Sequence, residues 1–130
     1  MNITHKNTKT IFESDNNLFC LLTMNPHPVH TNIEYAKTAH HGKILVVGTL
    51  VFSLSVGLTV PELSFDAIVN LEYSNIKHIK PVFIGDTIKV KSKVEIISKI
   101  WLVDSEVYNQ HDKIVLTFSR KILKFKAHTG

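Results

Sequence analysis

The chain has 130 residues, 44% apolar and 20% charged, with a formal net charge of +4. That length favours one domain, able to bury about two-thirds of its unfolded surface. The single cysteine, Cys20, excludes an internal disulfide and a cysteine-rich zinc site, and it fits a reducing, cytoplasmic setting.

The chain opens with MNITHKNTKTIFESDNN, which is polar throughout and lacks the apolar core of a signal peptide, so export is not expected. Residues 1–10 read as a short leader, with 7–11 as a short strand. Ser14 followed by Asp15 reads as a helix start, because a Ser side chain caps free amides and an acid suits the positive helix end. A short helix through Leu18, Phe19, Leu21 and Leu22 follows. The run MNPHPVH is expected to stay out of helix, since its two prolines remove donors and hold the chain extended or turned. Thr31 or Asn32 is placed to cap a second short helix, IEYAKTA, which Gly42 ends.

Residues 44–60, ILVVGTLVFSLSVGLTV, hold no charge, Asn, Gln or His. Seventeen residues sit at the short end of the range of about 17–25 that spans a bilayer. Gly48, Thr49, Ser53, Ser55, Gly57 and Thr59 dilute the run, and the sheet that follows needs an apolar partner. A central helix, buried on most sides and stopped near Pro61, is the better reading.

The second half alternates. Val69, Leu71 and Tyr73 fall on one face of a strand over 68–74, with Asn70, Glu72 and Ser74 on the other. Over 86–98, Ile88, Val90, Val94 and Ile96 face one way; Lys89, Lys91, Lys93 and Glu95 face the other, as in a strand with one wet face. KPVFIGDT is a turn, 100–108 a third strand, NQHD a turn and 114–125 a fourth strand. A strand, helices and then antiparallel strands make an α+β domain with helices on one side of the sheet. A curved antiparallel sheet wrapped around the long helix is the hot-dog fold. Gly48, Ser53, Ser55 and Gly57 would let strands approach the helix backbone.

The run NPHPVHTNIEYAKTAHHGKILVVGTLVFSLSVGL, with the later NLEYSNIKHIKPVFIGDTIKV and YNQHDKIVLTFSRKILKFK, resembles the MaoC-like hydratases. These hot-dog enzymes add water across 2-enoyl thioesters of coenzyme A. The wording of NPHPVH and NLEYSNIKHIKPVFIGDT is most similar to the branch with mesaconyl-CoA hydratase and β-methylmalyl-CoA dehydratase. The resemblance implies one hot-dog domain over 1–130, an acyl-CoA substrate, no separate cofactor, and a homodimer or higher oligomer with sheets joined side by side. No membrane or nucleic-acid partner is expected, since polar residues dilute the apolar run 44–60 and no nucleic-acid motif accompanies the lysines. The N-terminal leader is shorter than the family's, so part of the first strand is expected to be missing.

Hydration of an enoyl thioester needs proton transfer at water and at carbon, and donors for the charge that builds on the thioester oxygen. His30 aligns with the family's catalytic His, and an imidazole titrates near neutral pH. The family's Asp falls on Asn25, or on Thr23 in the other register; neither is an acid, so Asn25 is assigned to positioning water. Gly48 aligns with the helix-opening Gly whose amide faces the thioester oxygen. Val47 and Thr49 flank it as substrate contacts, Val47 in place of a residue that is often polar. Asp15 and Glu34 are substitute acids, though capping and a solvated helix face explain them more simply.

His27, His40 and His41 lie near the motif without the spacing of a metal site. Lys89, Lys91 and Lys93 read as a solvated sheet face, because no aromatic residues interleave with them as on a nucleic-acid surface. Two other functions remain open at this point: a hot-dog module that binds acyl-CoA without chemistry, and a thioesterase. The latter would want a carboxylate near the helix start, and residues 42–56 contain none.

Overall fold

The structure, a computed structural model, describes residues 1–125; the last five residues of the domain expected over 1–130 lie outside them. Two short strands, β1 (Asn2–Thr4) and β2 (Lys9–Thr10), precede three helices, α1 (Glu13–Thr23), α2 (Pro28–Thr31) and α3 (Ile33–Thr38). The central helix α4 is Gly48–Thr59 and runs into a single wider turn, Val60–Ser64. Strands β3 (Ala67–His78), β4 (Thr87–Ile97), β5 (Ile100–Tyr108) and β6 (Ile114–Lys124) complete the chain. The sheet runs β1-β4-β5-β6-β3 with β2 also on β4, and every pairing is antiparallel.

The sheet's inner face carries the β4 pattern expected from sequence. Ile88, Val90 and Val94 are buried and Lys91, Lys93 and Glu95 exposed. Val107 and Phe118 join Ile88 and Val90 on the same side and pack against Leu50 and Val51 of α4. This is the hot-dog arrangement: a sheet curved over one apolar helix.

Several local expectations change. The N-cap of α1 is Phe12 rather than Ser14, and Asp15, at the third helical position, accepts from the Phe12 amide at 2.9 Å. The 24–30 run is not wholly outside helix, because Pro28 opens α2. A proline fits there, since the first helical amide has no partner to lose. Asn32, not Thr31, caps α3, through a bond from the Tyr35 amide at 3.0 Å. The leader is not free of sheet, for β1 pairs with β4.

The apolar run 44–60 divides into two elements. Residues 44–47 are extended alongside 82–83, with Leu45 bridged to Phe83 and the Val46 amide donating to the Val82 carbonyl at 2.9 Å. Helix begins only at Gly48, and Pro61 does not end it sharply, because the wider turn carries the coil on to Ser64. Leu50, Val51, Ser55 and Thr59 form the buried stripe of α4; Thr49, Ser53 and Gly57 are exposed. Ser53 and Gly57 therefore do not admit strands to the helix backbone, and a Cβ at Gly57 would meet nothing within 4 Å.

Polar side chains tie the far end of α4 to the sheet. His5 is buried, with Nδ1 2.6 Å from Glu62 Oε1 and Nε2 2.8 Å from Ser92 Oγ, which in turn lies 2.8 Å from Ser105 Oγ. Arg120 donates to Asn70 and Thr59, each at 2.8 Å. Burial pushes its guanidinium pKa down from its ordinary value, against a smaller opposing effect of Tyr73. These bonds satisfy groups that would be costly to bury unpaired.

Candidate active site

The site is assembled by α1, α2, the extended segment 44–47 and the start of α4. The α1 helix stops in a left-handed residue, Met24, with the Asn25 amide donating to the Cys20 carbonyl at 3.0 Å and the Met24 amide to Leu21 at 3.4 Å. That paired cap turns the chain toward α2. His27 then caps α2 through a bond from the Val29 amide to its Nδ1 at 3.1 Å. The Leu45 amide donates to the Val29 carbonyl at 3.1 Å, fastening α2 to the segment before α4.

His30 is half-buried, and its Nδ1 lies 2.7 Å from the Leu45 carbonyl oxygen. A carbonyl can only accept, so Nδ1 carries the proton and Nε2 of the neutral ring is left as an acceptor. This is the tautomer a base needs. The main chain, rather than a carboxylate, sets it.

Four amides at a helix start lack intrahelical partners. At α4 the Val47 amide donates to Asn16 Oδ1 at 3.0 Å, and the Leu50 amide donates back to the Val47 carbonyl at 3.0 Å. Among the described residues, no acceptor takes the amides of Gly48 and Thr49. Two donors thus remain at the positive end of a twelve-residue helix.

His30 and Gly48 line one cavity of about 300 Å³, together with His41, Val51, His78 and Lys80. Val47 and Thr49 are not among its lining residues: the Val47 side chain is part of the core, and Thr49 is exposed. Asn25 is not brought to His30 and Gly48 either. It borders a different hollow with Cys20, Leu21, Met24 and Pro26, and its Oδ1 accepts from the His27 amide at 3.2 Å. Asp15 is held by Lys9 and the Phe12 amide, and Glu34 pairs with Lys37 at the surface. Among the described residues no carboxylate lines the cavity that His30 shares with Gly48; Glu13 borders a second hollow that His30 lines on the side of α1. Burial raises the Cys20 thiol pKa, which keeps that sulfur a poor nucleophile. Among the described residues no three His, Cys, Asp or Glu side chains are grouped to hold a metal ion.

Two residues matter more than their sequence context signals. Asn16 is 1% exposed, and its Nδ2 donates to the His30 carbonyl at 3.0 Å while its Oδ1 takes the Val47 amide. One side chain therefore spaces the imidazole and the helix end. His78, at the end of β3, lays its ring beside Gly48: a Cβ on residue 48 would stand 3.0 Å from its Cε1. The signal for Asn16 was an amide on a helix face that also carries buried Cys20. His78 gave only its position three residues ahead of Pro81.

A sheet curved over one helix, with an imidazole and free amides at that helix's opening, defines a hot-dog protein with a candidate site at the helix start. Residues 1–114 match the MaoC like domain, and the chain belongs to that family. It is 28% identical to mesaconyl-CoA hydratase of Cereibacter sphaeroides, over 98% of this chain and 39% of that protein. It is 29% identical to β-methylmalyl-CoA dehydratase of Chloroflexus aurantiacus, over 93% of this chain and 36% of that protein. The chain thus spans well under half the length of these curated relatives. A monoamine oxidase regulatory protein from Archaeoglobus fulgidus superposes with a TM-score of 0.85 at 28% identity, covering 99% of this chain and 90% of that one.

Proposed function

We propose that the chain hydrates a 2-enoyl thioester of coenzyme A, or runs the reverse dehydration. The observation that carries this reading is the His30 imidazole, held by the Leu45 carbonyl in the same cavity as Gly48. His30 Nε2 takes a proton from water as the water oxygen bonds to C3 of the enoyl group. The C2–C3 π pair moves toward C1, and charge collects on the thioester oxygen. The Gly48 amide, at the helix end, donates to that oxygen. The resulting imidazolium returns its proton to C2, so one water adds and His30 is regenerated.

With no carboxylate in the cavity that His30 shares with Gly48, His30 carries both proton transfers, which predicts slower turnover than a paired acid and base would give. The names of the two curated relatives favour a short branched or dicarboxylic acyl group, and Lys80 in the cavity wall would suit a free carboxylate on such a substrate. We place the protein in the cytoplasm, where Cys20 would stay reduced and coenzyme A thioesters would be at hand. No helix among the described residues is long and apolar enough to cross a membrane.

The lack of a carboxylate in the cavity of His30 and Gly48 also favours a second reading, an acyl-CoA-binding module without turnover. One assay separates the two. Purified protein is offered crotonyl-, longer 2-enoyl- and mesaconyl-CoA, and loss of the conjugated thioester absorbance is followed, with His30→Ala beside it. Turnover that disappears in His30→Ala is the expected result. Binding without turnover on every substrate would overturn the hydratase reading in favour of the module.

A further inference from the structure

The group best placed to assist the reaction, beyond His30 and the helix amides, is His78. Its ring lies against Gly48, with Cε1 and Nε2 at 3.0 and 3.1 Å from the position a Cβ would take. It lines the same cavity as His30. The strand end that carries it is pinned, since His78 pairs with Leu116 and the Ile79 amide donates to the Val115 carbonyl at 2.8 Å. The ring itself is exposed, and neither of its nitrogens meets a hydrogen-bond partner among the described residues. A ring that served only to cover Gly48 would need no nitrogen. An imidazole with both nitrogens unengaged, packed beside Gly48 and its free amide, has an N–H to offer a ligand oxygen that arrives at that amide.

We propose that His78 is a further catalytic residue, which donates a hydrogen bond from a ring N–H to the thioester carbonyl oxygen beside the Gly48 amide. The bond strengthens as charge moves onto that oxygen and needs no proton transfer, so nothing more has to be regenerated. His30, His41 and Lys80 are the other titratable groups lining the cavity, and no acid competes with the thioester oxygen for the donor. The assignment rests on the thioester reading of the site, and its test must separate the two.

Two measurements on the full chain do so. In the first, the protein labelled with ¹⁵N-histidine is titrated with butyryl-CoA, a saturated thioester that cannot be hydrated. The His78 ring nitrogens are expected to shift, with His78→Phe identifying their signals. In the second, kcat and KM for crotonyl-CoA are compared across wild type, His78→Phe and His78→Gln. His78→Phe keeps the ring against Gly48 and should lower kcat on the order of 10²-fold, the usual cost of one oxyanion donor, with KM little changed. His78→Gln restores an N–H and should recover part of the loss. Ring signals that stay still at saturating butyryl-CoA, an absence of butyryl-CoA binding, or a His78→Phe enzyme with wild-type kcat would each overturn the assignment. Wild type that binds butyryl-CoA with moving His78 signals but hydrates nothing would remove the hydratase reading and with it the catalytic role of His78, reducing the contact to one of binding.

Discussion

Asn16 holds His30 and the first turn of α4 at a set separation: its Nδ2 donates to the His30 carbonyl and its Oδ1 accepts from the Val47 amide, both at 3.0 Å. The side chain is buried, and so is its bond to the Val47 amide, which water cannot easily replace. Asn16→Ala leaves the Val47 amide unpaired inside the protein, and should lower unfolding free energy by about 1–3 kcal/mol. Urea titration measures this. Because the same bonds space the imidazole from the helix amides, turnover should fall further than the folded fraction does. A variant that loses stability while every folded molecule keeps full activity would reduce Asn16 to a structural strut.

Gly48 meets the opposite balance. Alanine is favoured over glycine by about 1 kcal/mol in a helix interior, and by less at Gly48, the first residue of α4. A Cβ there, however, comes within 3.0 Å of the His78 ring, which is exposed and free to swing away. Gly48→Ala should therefore keep or slightly raise the melting temperature while lowering hydration, and it should alter the His78 ring signals. A thermal melt and an assay on the same preparation decide it. Unchanged activity would show that the space beside the Gly48 Cα is not used.

Much of this arrangement was legible in the sequence, for physical reasons. The clean period of two in β4 reports a strand with one wet face, and Lys91 and Lys93 are exposed where the pattern puts them, with Lys89 half-buried. The apolar run 44–60 correctly announced a buried centre, but hydrophobicity cannot separate an extended segment from a helix. The break at Gly48 comes from strand pairing with 82–83. Over 68–74 the alternation misled: Val69, Leu71 and Tyr73 are exposed, because β3 ends the sheet and bulges shift its register. The motif led to His30 and Gly48. Asn25 carried the motif's register without its place in space, since the cap after Met24 commits that side chain to the His27 amide.

Asp15 gives the fold a pH signature. The Phe12 amide, and after it Lys9, hold its carboxyl below the ordinary carboxylate range. A depressed acid stabilises the folded state above its unfolded pKa, and that contribution is lost as pH falls through the folded value. Asp15→Asn should thus cost about 0.5–1 kcal/mol at pH 7, the scale of a helix-end charge. The gap to wild type should narrow below about pH 4, the ordinary carboxylate value, and close at lower pH. Urea midpoints at several pH values test this. A gap that is constant down to pH 2 would mean the carboxylate charge contributes nothing.

The last strand of the sheet indicates how a second copy would bind. β3 is twelve residues long, pairs among the described residues only with β6, and carries exposed Ile68, Val69, Leu71, Tyr73 and Ile76. A long apolar edge with an unpaired backbone is prone to pair with another chain unless something covers it. A second copy of this chain is a suitable cover, because two such edges can pair antiparallel about a twofold axis and bury both apolar rows at once. Charge on this edge should oppose that pairing without touching the core, since Leu71 is half-exposed at 51%. Wild type is expected to scatter light as a dimer, and Leu71→Lys as a folded monomer with wild-type secondary structure by circular dichroism. A wild type that stays monomeric as its concentration is raised would rule out the β3 edge as an interface between copies.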